Sequence, residues 1–141
     1  MVDNTQRDHI APQRGDFSMF GGLYRPIELI ETDQVCIDPL FYASPGVFIT
    51  TRSLDKSRAE VEVKTLLNAA EAKGDVAVAV EILDKQGKKV AGKTVKASAE
   101  EKKSLEVPVV LTISNPVPWN ATKNPYLHQV KVSIRTADGQ T

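Results

Sequence analysis

The chain has 141 residues, 41% of them hydrophobic and 26% charged, and its 18 basic and 18 acidic side chains balance to a formal charge of zero. That length suits a single core with an appendage, the apolar share excludes disorder of the whole chain, and zero net charge supplies no field toward nucleic acid or an anionic membrane. No apolar run approaches the roughly 20 residues that cross a bilayer, and the polar stretch from Met1 to Asp8 has neither the apolar core nor the small-residue cleavage site of a signal peptide.

Residues 1–22 carry Pro12, Gly15, Gly21, Gly22 and many charges without alternation, so they read as a loop that needs another surface to pack on. From Gln34 onward the apolar period is two, the mark of strands with one buried face. Val35–Ile37 and Gly46–Thr50 are two short strands, separated by Pro39 and a Ser44-Pro45-Gly46 turn. Ala59, Val61, Val63, Thr65 and Leu67 then alternate with Glu60, Glu62 and Lys64, and Val76, Val78, Val80 and Ile82 form one face of the next strand. Lys85-Gln86-Gly87-Lys88 is a turn, and Val90–Ala97 is a weaker strand whose Gly92 suggests an edge or a bend.

Leu105, Val107, Val109, Leu111 and Ile113 are in phase, with Pro108 on the opposite face, where its missing N–H is tolerated at an edge or bulge. Val130, Val132 and Ile134 alternate with Gln129, Lys131, Ser133 and Arg135, and Ala137-Asp138-Gly139 follows as a hairpin signal. The helix-tolerant stretches, Ala69–Lys73 and Ala97–Lys103, are too short and aperiodic for a stable helix. Six or seven short, turn-punctuated strands predict an all-β fold, an immunoglobulin-like antiparallel β-sandwich. Tyr126 is in phase with the inward side of the last strand, where its ring packs inside and its hydroxyl bonds nearby backbone.

Chemistry-bearing residues are sparse. Acid/base chemistry by paired carboxylates needs two carboxyl groups at fixed separation, whereas the adjacent Glu100-Glu101 lies in a Lys-rich connection and neighbouring side chains of an extended segment point apart. His9 and His128 have no metal-ligand spacing, and His128 reads as a partly buried imidazole on the core side of its strand. With Cys36 as the one cysteine no internal disulfide forms; flanked by Val35 and Ile37, it reads as a small buried residue. Asn120-Ala121-Thr122 fits the glycosylation acceptor pattern, a common chance triplet. The lysines from Lys85 to Lys96 are balanced by Asp84, Glu100 and Glu101 and read as a solvated face. Trp119, the one tryptophan, stands among Pro116, Pro118 and Pro125. It plugs a connection between strands or offers its apolar face to a pyranose ring, together with tyrosines such as Tyr24, Tyr42 or Tyr126.

Two segments carry a family likeness. Arg14-Gly15-Asp16-Phe17-Ser18-Met19-Phe20-Gly21-Gly22-Leu23-Tyr24-Arg25, and Ile113-Ser114-Asn115-Pro116-Val117-Pro118-Trp119-Asn120 running on to Asn124-Pro125-Tyr126-Leu127, resemble family-2 glycoside hydrolases, the group of the bacterial β-galactosidases. The resemblance implies that residues 1–33 are the tail of a sugar-binding jelly-roll, a loop with Tyr24–Glu31 as its last strand, and that 34–141 are the immunoglobulin-like sandwich without its final strand. It also implies that the chain is a piece of a longer bacterial enzyme, periplasmic or extracellular, whose acid/base and nucleophile glutamates lie in a catalytic barrel beyond this sequence.

The jelly-roll and barrel would then be the partners, a strand edge left open would invite self-association, no cofactor is implied, and the chain alone would not be an enzyme. By the same resemblance Asp16 matches an aspartate that reaches from the first domain to the substrate sugar and a sodium ion, a role suited to a carboxylate. By composition alone Asp16 is a solvated loop residue. For Trp119 the resemblance adds packing against the neighbouring barrel.

Overall fold

A computed structural model of the chain describes residues 22–23, 26–70, 74–100 and 104–136. The chain divides into two units, Met1–Glu31 and Thr32–Thr141. In the first, residues 26–31 form no strand and their side chains are exposed, where a strand over Tyr24–Glu31 was expected.

The second unit is built of seven strands: β1 (Cys36–Ile37), β2 (Val47–Leu54), β3 (Arg58–Asn68), β4 (Asp75–Leu83), β5 (Lys89–Ser98), β6 (Leu105–Ser114) and β7 (Gln129–Thr136). All pairings are antiparallel, in two sheets. In one, β3 pairs with β6 along one edge and with β2 and β1, end to end, along the other; in the second, β4 lies between β5 and β7. The described residues contain no helix. This is the expected immunoglobulin-like sandwich.

The core follows from the alternation. Val61 and Val63 of β3, Val107, Val109, Leu111 and Ile113 of β6, and Val76, Val78, Val80 and Ile82 of β4 belong to a single buried cluster. β-Branched side chains fill such pleated faces well, each contributing roughly 1.5–3 kcal/mol when fully buried. Both sequence signals for an edge are met, since among the described strands β5, with Gly92, pairs with β4 alone, and β6, with Pro108, pairs with β3 alone. β2 runs beyond the expected Thr50 to Leu54, across a register shift between Thr51 and Ser53. Those added residues are exposed and held by backbone pairing and by the Arg52–Glu62 ion pair, so they carry no apolar period.

Between β1 and β2 the chain leaves the β3 edge at Ile37, opposite Leu67, and rejoins it at Val47, opposite Thr65. Leu66 closes the gap: its carbonyl accepts from the Asp38 N–H and its N–H donates to the Gly46 carbonyl, both at 2.8 Å. Gly46 sits at φ 68°, and a Cβ there would stand 2.6 Å from Ile37 Cγ2 and 2.8 Å from the Asp38 carbonyl. Gly46→Ala should therefore cost at least about 2 kcal/mol, from the left-handed backbone and the backbone clash together, read as a lowered urea midpoint with unchanged slope. One buried polar atom, Thr65 Oγ1, has no hydrogen-bond partner among the described residues. Thr65→Val should raise stability by ~1 kcal/mol in the same assay, because it removes an unpaired buried hydroxyl at nearly constant volume.

Candidate functional site

Three connections meet at one end of the sandwich: β2 to β3 through 55–57, β4 to β5 through 84–88, and β6 to β7 through 115–128. The ladders place them there, since Leu54 lies opposite Ala59, Ser114 opposite Arg58, and Gln129 opposite Leu83.

Two of the three are fastened by aspartates. Asp55 Oδ1 accepts from the Ser57 N–H and hydroxyl at 2.7 Å and from the Arg58 N–H at 2.8 Å. Asp84 Oδ1 accepts from the Gln86 and Lys88 N–H groups at 2.9 Å, with Gly87 at φ 81°. Side chains of Asp bonding backbone two or three residues on are what fix such turns.

The long connection is stiffened by Pro116, Pro118 and Pro125, each with φ locked. Asn115 donates its N–H to the Ser57 carbonyl at 2.8 Å, tying this connection to the Asp55 turn. Asn120 and Asn124 exchange backbone hydrogen bonds of 2.7 and 3.0 Å, and Asn124 Nδ2 donates to the Pro118 carbonyl at 3.1 Å, closing a small loop directly after Trp119. Trp119 is thereby held outward, 62% exposed. It stands at a cleft of about 370 Å³ walled by Leu54, Val61, Ile113, Pro118, Tyr126 and His128 among others. The lining contains no carboxylate among the described residues.

Tyr126 is half-buried, and its hydroxyl accepts from the Lys85 N–H at 3.4 Å, the backbone bond expected of it. Lys85 Nζ lies 5.3 Å from the tyrosine ring centre, and the His128 ring stands 5.0 Å away at 57°. His128 is half-buried, as its phase implied.

Other candidate residues lie apart. Asp16, His9, Tyr24 and Glu101 fall outside the described residues. Tyr42, at φ 53° in the β1–β2 loop, is exposed and packs edge-on against Phe41, which packs in turn on Phe48, so it joins a different cluster from Trp119 and Tyr126. Cys36 is half-buried where full burial was expected, because β1 has only two residues and lies beside a groove of about 430 Å³ that β1 shares with β7. Glu100 is exposed at φ 44° and accepts from the Ser98 hydroxyl at 3.3 Å. No group of three or more His, Cys, Asp or Glu side chains that could hold a metal occurs among the described residues. The Asp55 turn was missed in the sequence, although Asp55-Lys56-Ser57 carries the Asp and Ser of a capped turn.

Residues 45–141 match the family model described as glycosyl hydrolases family 2. The chain belongs to that family. It is 34% identical over 134 residues to a β-glucuronidase of Bacteroides fragilis, covering 94% of this chain and 19% of that protein. To a β-galactosidase of Thermoanaerobacterium thermosulfurigenes it is 28% identical over 137 residues, covering 96% of this chain and 18% of that one. Among solved structures, a family-2 glycosyl hydrolase from Bacteroides cellulosilyticus superposes with a TM-score of 0.62 at 33% identity, over 66% of this chain and 13% of that chain. A β-glucuronidase from Bacteroides uniformis superposes with a TM-score of 0.76 over 97% of this chain and 16% of that chain, at 21% identity, a likeness of fold. The chain thus spans less than a fifth of the length of the curated relatives it matches.

The hydrogen bonds to Asp55 hold its carboxyl below the ordinary carboxylate range, the Ser57 hydroxyl first and the Ser57 and Arg58 N–H groups next. A carboxyl depressed in the folded state stabilises the fold above its unfolded pKa, and the contribution is lost as pH falls through the folded one. The melting temperature of Asp55→Asn should therefore lie below that of the parent chain at neutral pH, and the difference should shrink on acidification below the ordinary carboxylate range.

Proposed function

We propose that this chain is the non-catalytic immunoglobulin-like domain of a family-2 glycosidase acting on β-linked glycans, with residues 1–33 as the tail of the preceding sugar-binding domain. It serves as a spacer and buttress between that domain and the catalytic barrel. The observation that carries this reading is the coverage: nearly the whole chain aligns with less than a fifth of each curated relative. The described part of the matched segment builds a sandwich with an apolar and aromatic cleft at the turn end, unsuited to the paired carboxyl chemistry of glycoside cleavage. The relatives' names divide between β-glucuronidase and β-galactosidase, so the substrate class proposed for the longer enzyme is a β-glycoside. Within that enzyme Asp16 would stand near the substrate sugar.

A second reading, a carbohydrate-binding module, is favoured by one feature: Trp119 is exposed beside Tyr126 and a cleft large enough for a sugar ring. Calorimetric titration of the chain with β-galactosides and β-glucuronides decides between them. The spacer reading expects no saturable heat and no release of chromophore from aryl β-galactosides or β-glucuronides. Saturable binding abolished by Trp119→Ala would establish the binding module instead.

A further inference from the structure

The formal charge of zero is not spread evenly over the fold. Strands β4, β5 and β7 with the β4–β5 turn carry seven cations against three carboxylates, whereas the strands and connections of the other sheet, 36–68 and 105–114, carry four against five. The basic excess surrounds a groove. On the outer face of the three-stranded sheet Ala77 and Ala79 of β4 form a low floor, with Lys96 and Arg135 on either side of Ala77 in one row and Thr94 and Ser133 on either side of Ala79 in the next. Gly92 and Lys131 flank Glu81 in the third row. Walls two strand spacings apart make this trough roughly 10 Å wide, and its volume is about 360 Å³.

The charges of the trough are unequally answered. Glu81, the carboxylate of its lining, accepts from Lys89 Nζ at 2.8 Å, and the Lys89 side chain crosses Gly92, where a Cβ would stand 2.3 Å from Lys89 Cε. Lys89 first, and Lys131 after it, hold the Glu81 carboxyl below its ordinary range. Arg135 and Lys96, both exposed, have no ion pair among the described residues. By alternation Asp75 is the other carboxylate of this face, one row beyond them and opposite Ser98. Two cations thus flank the floor with no counter-charge fastened to them.

The lining also selects the kind of anion. Among the described residues no apolar side chain larger than alanine lines the trough, so it lacks the buried aromatic or apolar pocket on which a protein partner anchors and the ring on which nucleic-acid bases stack. Hydroxyls on both walls, between cations, suit a chain that carries hydroxyls as well as charge. We infer that this face binds an anionic glycan, a sugar chain bearing carboxylate or sulfate groups, whose charges meet Arg135, Lys96 and Lys131 and whose hydroxyls meet Ser133 and Thr94. The inference rests on the reading of this chain as part of a glycan-degrading enzyme and gives the sandwich a holding surface for the polymer, on a sheet face rather than at the turn end.

Fluorescence anisotropy of end-labelled oligosaccharides, titrated with this chain at low ionic strength, tests it. An oligogalacturonate and a sulfated heparin-type oligosaccharide separate carboxylate from sulfate, with a neutral galacto-oligosaccharide and an oligoglutamate of matched charge as controls. At least one anionic glycan should bind saturably, at least about tenfold more tightly than either control, and more weakly as salt rises. A simple aryl β-glucuronide brings one carboxylate, and a single exposed ion pair contributes too little to hold it. Lys96→Ser combined with Arg135→Ser should weaken binding at least about tenfold while the melting temperature stays within about 1 °C. Ala79→Glu, which sets a carboxylate on the floor, should abolish binding with every cation still in place. Binding of neither anionic glycan overturns the inference, as does equal binding of the oligoglutamate or an affinity unchanged by the double substitution. Failure of the spacer reading is seen separately, as glycoside binding that Trp119→Ala abolishes.

Discussion

The packing of alternate side chains of β3 and β6 against those of β4 is the constraint on which the rest of this domain depends. Val63, Val78 and Val80 are wholly buried, and the neighbouring positions of β3 and β4 are only half-covered. Because the side-chain period of a strand is two, a slip of one residue in either sheet would turn that entire apolar row to solvent and bring Glu62, Lys64 or Glu81 inward. Every other feature is secondary to this register. The ion pairs on the outer face, Arg52 with Glu62 at 2.5 Å and Lys64 with Glu106 at 3.3 Å, lie between partly exposed groups and add little beyond agreeing with it.

A sheet core of this kind leaves two kinds of surface unresolved, its edges and its ends. At the ends, the aspartate-fastened turns and the proline-stiffened connection convert flexible chain into fixed surface, which is why a tryptophan can be held largely in solvent without losing its position. At the edges, β2, β5, β6 and β7 each pair with one neighbour among the described strands. β5 and β6 carry Gly92 and Pro108, residues that weaken or interrupt further pairing, whereas β7 has neither along its length. The edges are therefore unequal, β2 and β7 being the ones without a residue that interrupts pairing.

Much of the fold was legible in the residues. The in-phase runs of β3, β4, β6 and β7 announced their buried faces because each strand is covered on one side only, and Gly92 and Pro108 announced edges because each is costly anywhere else. What escaped notice depended on backbone rather than side-chain burial. Thr51 to Leu54 pair with β3 without an apolar period, and the Asp55 turn rests on three hydrogen bonds to one carboxylate oxygen. Residues 26–31 contain Ile27, Leu29 and Ile30, yet they form no strand and their side chains are exposed. Of the site, Trp119, Tyr126 and His128 were identifiable as residue types with a place in the chain. Their union with Leu54, Val61 and Ile113 around one cleft was not, because those residues lie in three strands that meet only after the sheets have formed.

What the amino-acid sequence determined by itself was local: which side chains alternate, where the turns fall, and that no paired carboxylates or metal-ligand spacing accompany them. These are matters of periodicity and of short-range chemistry, and both act between residues close in the chain. Only the tertiary structure decided which strands lie at the sheet edges among the described residues, that Tyr42 stands apart from Trp119, and that three distant connections converge to leave Trp119 in solvent above an apolar cleft. Such outcomes depend on strand order and on the stacking of two sheets, which bring together residues with no local relation to one another.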